Sequence, residues 1–436
     1  MTYNKFKLLN LFIFLLSYLF FKVGSFTPEG RLAHSTVLVD NKLYFFGGYV
    51  DNAKSCTNQV FYLDLSQYFD LTAPPWISLT QISEIPFKSC WGTALLNDKE
   101  QTIYLFGGFM TNNLNKDEFV SNVHSFNLNS LSWNVPDIEG TTPERRRNMK
   151  GVIDNTGKIY IFGGYADKFL GSPTLIRNND MVILNTAELE LSWLIIPASK
   201  PYAQHAYTAT LLSNGVIVYI GGTELLENTA KHVDIKNINL FDTNTLTWSV
   251  KVVTASNIIQ NPSDDKIIIY GGANRANSIK AVPDLFVLNM ENEQFEYIVP
   301  PVYGQLPPSL SAHTADLFEN YMIITFGNIT QPNDNPLPLK SYNIYIMDIR
   351  NYTWVNSFEV TNTNIAKNSD PNNSNKIIIA SIGGTVVAAI IMACGFLFYR
   401  WNKNKKINEL YPRYINEEHT LPGNIVEHNS STYITK

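Results

Sequence analysis

The chain has 436 residues, 45% of them hydrophobic and only 16% charged, with a formal net charge of −5. That balance excludes a disordered, highly charged chain as the main body, and the acidic sign excludes the basic footprint of a nucleic-acid binder. Three cysteines are too few for a disulfide-dense scaffold or a four-cysteine zinc module, while 24 glycines and a 13% aromatic share point to strands joined by tight turns.

Residues 1–25 open with Lys5 and Lys7, then run apolar over residues 8–21 apart from Asn10 and Ser17, and end Val23-Gly24-Ser25. The apolar run is short for a membrane span and fits the core of a secretory signal peptide cut before Phe26. Removing it takes away a charge of +3 and leaves residues 26–376 with 24 basic and 34 acidic groups, a net −10.

From residue 31 to about 360 the chain repeats itself. An apolar, β-branched or aromatic run ends in a glycine pair at Gly47-Gly48, Gly107-Gly108, Gly163-Gly164, Gly221-Gly222 and Gly271-Gly272, and imperfectly at Gly327-Asn328. The first glycines are spaced by 60, 56, 58, 50 and 56 residues. An aromatic residue follows each by 26 to 30 positions: Trp76, Trp133, Trp193, Trp248, Tyr297 and Trp354. Each unit reads as four short strands, a to d. Turn residues such as Asp40-Asn41-Lys42 and Ser213-Asn214-Gly215 separate a from b, the glycines close b, and the Trp opens d. The glycines let the backbone turn left-handed where b ends and leave room for a neighbouring sheet, with Asn328 expected in the second glycine's role in unit six.

A period near 50 with four strands per unit is the signature of a β-propeller. The glycine pair, the following c strand and the spaced Trp resemble the kelch motif over almost the whole of residues 26–360. The resemblance implies an all-β, six- or seven-bladed kelch-type β-propeller, and the count of units favours a six-bladed one. Units five and six depart from the pattern: five lacks the strand-a His and the Trp, six the second Gly. Each complete unit runs a to d in order, so the ring is expected to close without borrowing an amino-terminal strand.

In such blades the b–c loops share a face with the d–a crossovers, and here the b–c loops (108–122, 165–179, 223–237 and 329–341) are long and polar. Loops on a rigid scaffold carry function, so this is the expected face for a protein or glycan ligand, with Arg145, Arg146, Arg147, Phe169, Arg177 and Arg275 as candidate contacts. Arg147 precedes Gly163 by sixteen residues, as Arg31 precedes Gly47, which makes it the ordinary repeat arginine and Arg145 and Arg146 the unusual ones. Cys56 and Cys90 fall on this face in adjacent blades, as either a disulfide in an oxidising lumen or two buried thiols. His34, His205 and His313 recur near the start of strand a, where the resemblance gives His a role within the blade rather than on a metal.

Residues 361–376 form a polar linker, and residues 377–399 an uncharged stretch of 23, long enough for a transmembrane helix. Arg400, Lys403, Lys405 and Lys406 follow at once, which predicts a type I topology with a short cytoplasmic tail over residues 400–436. This places the protein in the secretory pathway, at the cell surface or an internal membrane. Ala380, Gly384 and Ala388 form a small-residue stripe suited to weak helix pairing. Asn351 and Asn372 head sequons on the lumenal side and are candidate N-glycosylation sites.

The resemblance also reaches galactose-oxidase-like copper enzymes, which need a Tyr-His pair and a Cys cross-linked to a ligand Tyr. No Tyr-His dipeptide occurs, nor G-x-S-x-G, H-E-x-x-H or a phosphate-binding loop. The expectation is therefore a membrane-tethered binding module that is not an enzyme and uses no cofactor, with the copper oxidase as the alternative.

Overall fold

The structure is a computed structural model that describes residues 26–50, 54–112, 121–187, 190–197, 202–226, 229–256, 266–274, 279–280, 282–290, 295–330 and 339–360. The expected signal sequence, the membrane span, the tail, Arg275 and Asn372 lie outside the described residues. Among those described, no helix is long and apolar enough to cross a membrane.

Among the described residues, the repeat forms six antiparallel sheets that follow one another in chain order. The first is built from Ser35–Val39, Lys42–Phe46, Val60–Asp64 and Trp76–Ser78, side by side. The second has Thr93–Asn97, Thr102–Phe106, Val123–Asn127 and Ser132–Asn134 in the same order. The third, fourth and sixth repeat this arrangement; in the fifth, three strands are described, Lys266–Tyr270, Leu285–Asn289 and Glu296–Ile298. Short parallel strands lie on the outer edges of the third, fifth and sixth sheets: Ile138–Glu139, Thr254–Ser256 and Tyr303–Gly304.

Alternation along strand b explains how the sheets hold together. Leu43 and Phe45 pack toward the sixth sheet, with Ile323, Phe326 and Ile344, while Tyr44 and Phe46 pack toward the second, with Leu105 and Phe126. Both faces of the strand are buried, so it reads as an unbroken apolar run. Further clusters join the second, third and fourth sheets, the fourth and fifth, and the fifth and sixth. The strand-d aromatics are the mortar. Trp133 meets Phe46 at 5.8 Å, Trp193 meets Phe106 at 5.9 Å, Trp248 meets Phe162 at 4.5 Å and Trp354 meets Tyr270 at 5.3 Å. Each reaches the residue just before the glycine pair of the preceding sheet, a contact worth about 0.5–1.5 kcal/mol beyond its buried area.

The glycine pair is an inter-sheet joint. The second glycine donates its N–H to a carbonyl of the next sheet: Gly48 to Ser89, Gly108 to Arg146, Gly164 to Gln204 and Gly272 to Leu310, at 2.8–2.9 Å. A Cβ on Gly47 (φ 60°) would sit 2.2 Å from the Ser89 carbonyl oxygen, so no side chain fits. The sixth unit corrects the expectation for its pair. Phe326, with φ 56°, occupies the first glycine position, Gly327 the second, and Asn328 simply begins the strand Asn328–Ile329. Gly327 makes the joint, donating to Arg31 O at 2.8 Å, and Trp76 stacks on Phe326 at 5.8 Å. The sixth and first sheets thus meet at this joint, and a short antiparallel pair, Ser357–Phe358 with Phe69–Asp70, also ties the two units together.

Candidate functional site

A second tier of small sheets stands over one end of the main ones. In the first unit Arg31–Leu32 pairs with Tyr49–Val50, which pairs with Ser55–Cys56. The fourth and sixth units repeat this with Gln204–His205 and Leu310–Ser311 as the entering strands. Crossovers into strand a and loops leaving strand b therefore pair with one another and share a face.

The crossovers are linked by a chain of backbone hydrogen bonds. Ala33 donates to Ala312 O, Trp91 to Ala33 O, Asn148 to Trp91 O and Ala206 to Asn148 O, at 2.7–3.0 Å. All five residues are left-handed, with φ between 52° and 57°. This common frame aligns the units residue by residue. The position two before each left-handed link holds Arg31, Ser89, Arg146, Gln204 and Leu310; the position one before holds Leu32, Cys90, Arg147, His205 and Ser311.

The frame overturns the assignment of the repeat arginine: it is Arg146, not Arg147. Arg31 and Arg146 are fully buried, and each donates to the carbonyl of the first glycine, Gly47 at 2.9 Å and Gly163 at 3.1 Å. Arg146 also grips Asp180 through two bonds of 2.7 and 3.0 Å, where Arg31 reaches Gln59 at 2.6 Å. Burial pulls the Arg31 guanidinium down to about 9, with Glu29 opposing. Gln204 takes the same position in the fourth unit, donating to Gly221 O at 2.8 Å. Counting back from the glycine misplaced the arginine by one residue because the a–b turns differ in length: Val39 faces Lys42 in the first sheet, but Ile153 faces Ile159 in the third.

Arg145 is half-buried; its Nη2 lies 3.4 Å from Met110 O, and burial lowers its pKa. Arg147 turns toward the face. Its guanidinium pairs with Asp167 and sits 4.9 Å from the ring of Tyr165 and 5.5 Å from those of Trp91 and Phe169. Arg147, Phe169 and Arg177 line one cleft of about 450 Å³, together with Tyr165, Asp167, Leu175 and His205. Sequence reasoning missed Trp91, Tyr165 and Asp167. The signal for Tyr165 and Trp91 was their position beside the glycine pair and the crossover, and Asp167 was legible only as the cap of the short 3-10 turn Lys168–Leu170.

The histidines also separate. His34 and His313 each follow a left-handed link, and Tyr207 holds that place in the fourth unit, so His205 is not their equivalent. His34 Nε2 lies 3.1 and 3.2 Å from the hydroxyls of Thr314 and Thr325, and burial above all holds its pKa well below the ordinary value. His313 is pushed down to about 4 by the same cause. His205 instead meets the Tyr165 ring edge-on at 4.9 Å, in the cleft.

Residues 33–263 match the family model of the KLHDC2/KLHL20/DRC7 Kelch-repeats domain. The chain belongs to the kelch-repeat family. Kelch domain-containing protein 3 of Rattus norvegicus is 26% identical over 233 residues, covering 50% of this chain and 56% of that protein. Host cell factor 2 of Homo sapiens is 30% identical over 149 residues, covering 32% of this chain and 18% of that protein. The chain thus spans about half the length of the Kelch domain-containing protein 3 relatives it matches. Among solved structures, one titled "Structure of YjhT" aligns with a TM-score of 0.51 at 14% identity, over 76% of this chain and 98% of that one.

Within this kelch scaffold Cys56 and Cys90 are joined, their Cα atoms 5.6 Å apart, clipping the upper tiers of the first and second units. Neither is left to cross-link a tyrosine. Among the described residues no group of three or more His, Cys, Asp or Glu is placed to hold a metal ion. Asn351 stands exposed in a c–d turn, away from the cleft.

Proposed function

We propose that the chain is a membrane-tethered, six-bladed kelch propeller that binds a protein partner, without catalysis, on the face where crossovers and b–c loops meet. The observation that carries this is the convergence of Arg147, Phe169 and Arg177 on one cleft held by a hydrogen-bonded frame. A rigid frame presenting aromatic and arginine side chains has the composition of a binding hot spot. The bonded Cys56–Cys90 pair supports an oxidising compartment, in keeping with the apolar leader and the uncharged stretch at 377–399.

The test is photo-crosslinking from the full-length chain in cells. A cross-linker at position 169 captures a discrete protein, while one at position 130, in a c–d turn at the opposite end of the sheets, does not. Equal capture from both positions overturns the face assignment. Glycosidase treatment of the same chain reads the topology: a mobility shift lost with Asn351→Gln and Asn372→Gln together supports the lumenal placement.

A further inference from the structure

We infer that the cleft over the third and fourth sheets receives an acidic, extended segment of the partner protein that carries one apolar side chain. This rests on the protein-binding reading above and gives it a chemistry. Charge singles out the cleft. The body over residues 26–376 is acidic, at −10, yet the cleft is lined by three cations, Arg147, Lys168 and Arg177, against the single acid Asp167.

That acid is already occupied. One Asp167 carboxylate oxygen accepts the Phe169 N–H at 3.1 Å, capping the 3-10 turn, and the other pairs with Arg147. Arg177 stands beside Tyr165 across the hairpin and makes no side-chain hydrogen bond or ion pair with the described residues. Among the described residues, no acid pairs with Arg177 or Lys168, so an incoming carboxylate meets open positive charge there. Arg147 is held ready by Asp167 and three aromatic rings, so little side-chain entropy remains to be lost when it is contacted.

An apolar wall stands beside these cations. Phe169 is 54% exposed and Leu175 50% exposed, on the two arms of the same loop. Large apolar side chains left open beside fixed cations suit a ligand that brings both a carboxylate and a hydrocarbon group. Nucleic acid does not fit, because a long polyanion would extend beyond the cleft onto an acidic body.

Full-length protein is titrated with end-blocked, fluorescein-labelled peptides rich in Asp and Glu around one central Leu, and with counterparts in which Lys replaces the acids or Ser the Leu. The acidic Leu peptide binds, and raising salt weakens it. Arg177→Glu weakens it roughly tenfold or more and Phe169→Ser several-fold, with unfolding midpoints unchanged. Arg177→Lys retains most of the affinity. Equal binding of the Lys peptide, indifference to Arg177→Glu, or displacement by inorganic phosphate at comparable concentration overturns the inference. If the acidic peptide fails to compete with partner cross-linking from position 169 while that cross-link persists, the binding face stands and the acidic chemistry falls. If both are absent, both readings fall.

Discussion

Arg31 in the first sheet and Arg146 in the third perform the same task, yet the residues around them diverge. Each is buried, crosses to the carbonyl of its first glycine and is braced by a c-strand side, Gln59 in one and Asp180 in the other. Past that point the first unit continues with Leu32 and a return strand tied down through Cys56, whereas the third continues with Arg147 and a 3-10 turn that holds Phe169 outward. In the third unit the residue two before the left-handed link belongs to the frame, and the next belongs to the face. Adjacent arginines can therefore have unrelated purposes.

Substitutions at these positions measure how sharp that division is. The largest effect is expected from Arg146→Ala, which leaves Asp180 without its partner and the Gly163 carbonyl without its donor. A loss of about 3–5 kcal/mol in urea unfolding is expected, with Arg31→Ala in the same direction. A shift no larger than that of a surface substitution would remove Arg146 from the frame. Next comes the paired change Cys56→Ala and Cys90→Ala, expected to cost about 2–4 kcal/mol. Its increase in amide exchange should fall on the first and second upper tiers and spare the Tyr165 hairpin. Exchange that rises equally in both would show that the two regions are not independent. Smallest is Arg147→Gln, expected to change unfolding by about 1 kcal/mol or less, since its ion pair and ring contacts lie at the edge of the solvent. A large loss there would merge face and frame.

Much of the architecture was legible because it depends on composition that repeats. Glycine pairs mark joints where a Cβ cannot fit, apolar runs mark strands buried on both sides, and the spaced Trp marks the contact with the preceding sheet. What was misread was misread by one or two residues. Arg147 took the place of Arg146, Gly327 that of Phe326, and His205 that of Tyr207. Spacing was counted across a–b turns whose lengths vary, and the left-handed residues that set the true alignment include Ala, Trp, Asn and Phe, which announce nothing in sequence. The convergence of Arg147, Phe169 and Arg177 was anticipated only as a shared face. One of the ring contacts that hold Arg147 comes from Trp91 in another unit and could not be inferred from local spacing.

The joint between the sixth and first sheets sets the order in which the molecule can mature. Thr36 donates to the Asp316 carboxylate across 280 residues of sequence, and Leu43, Phe45 and Phe61 are covered by Ile323, Phe326 and Ile344. A ribosome delivers the first sheet long before its cover exists. Throughout that interval the earliest-made strands present an apolar flank to the compartment into which they emerge. Contacts so remote in sequence form slowly, and an uncovered flank of this kind invites association with other chains. The last sheet to be made therefore shields the first, and a chain halted before residue 323 would lack that protection however well its earlier sheets had formed.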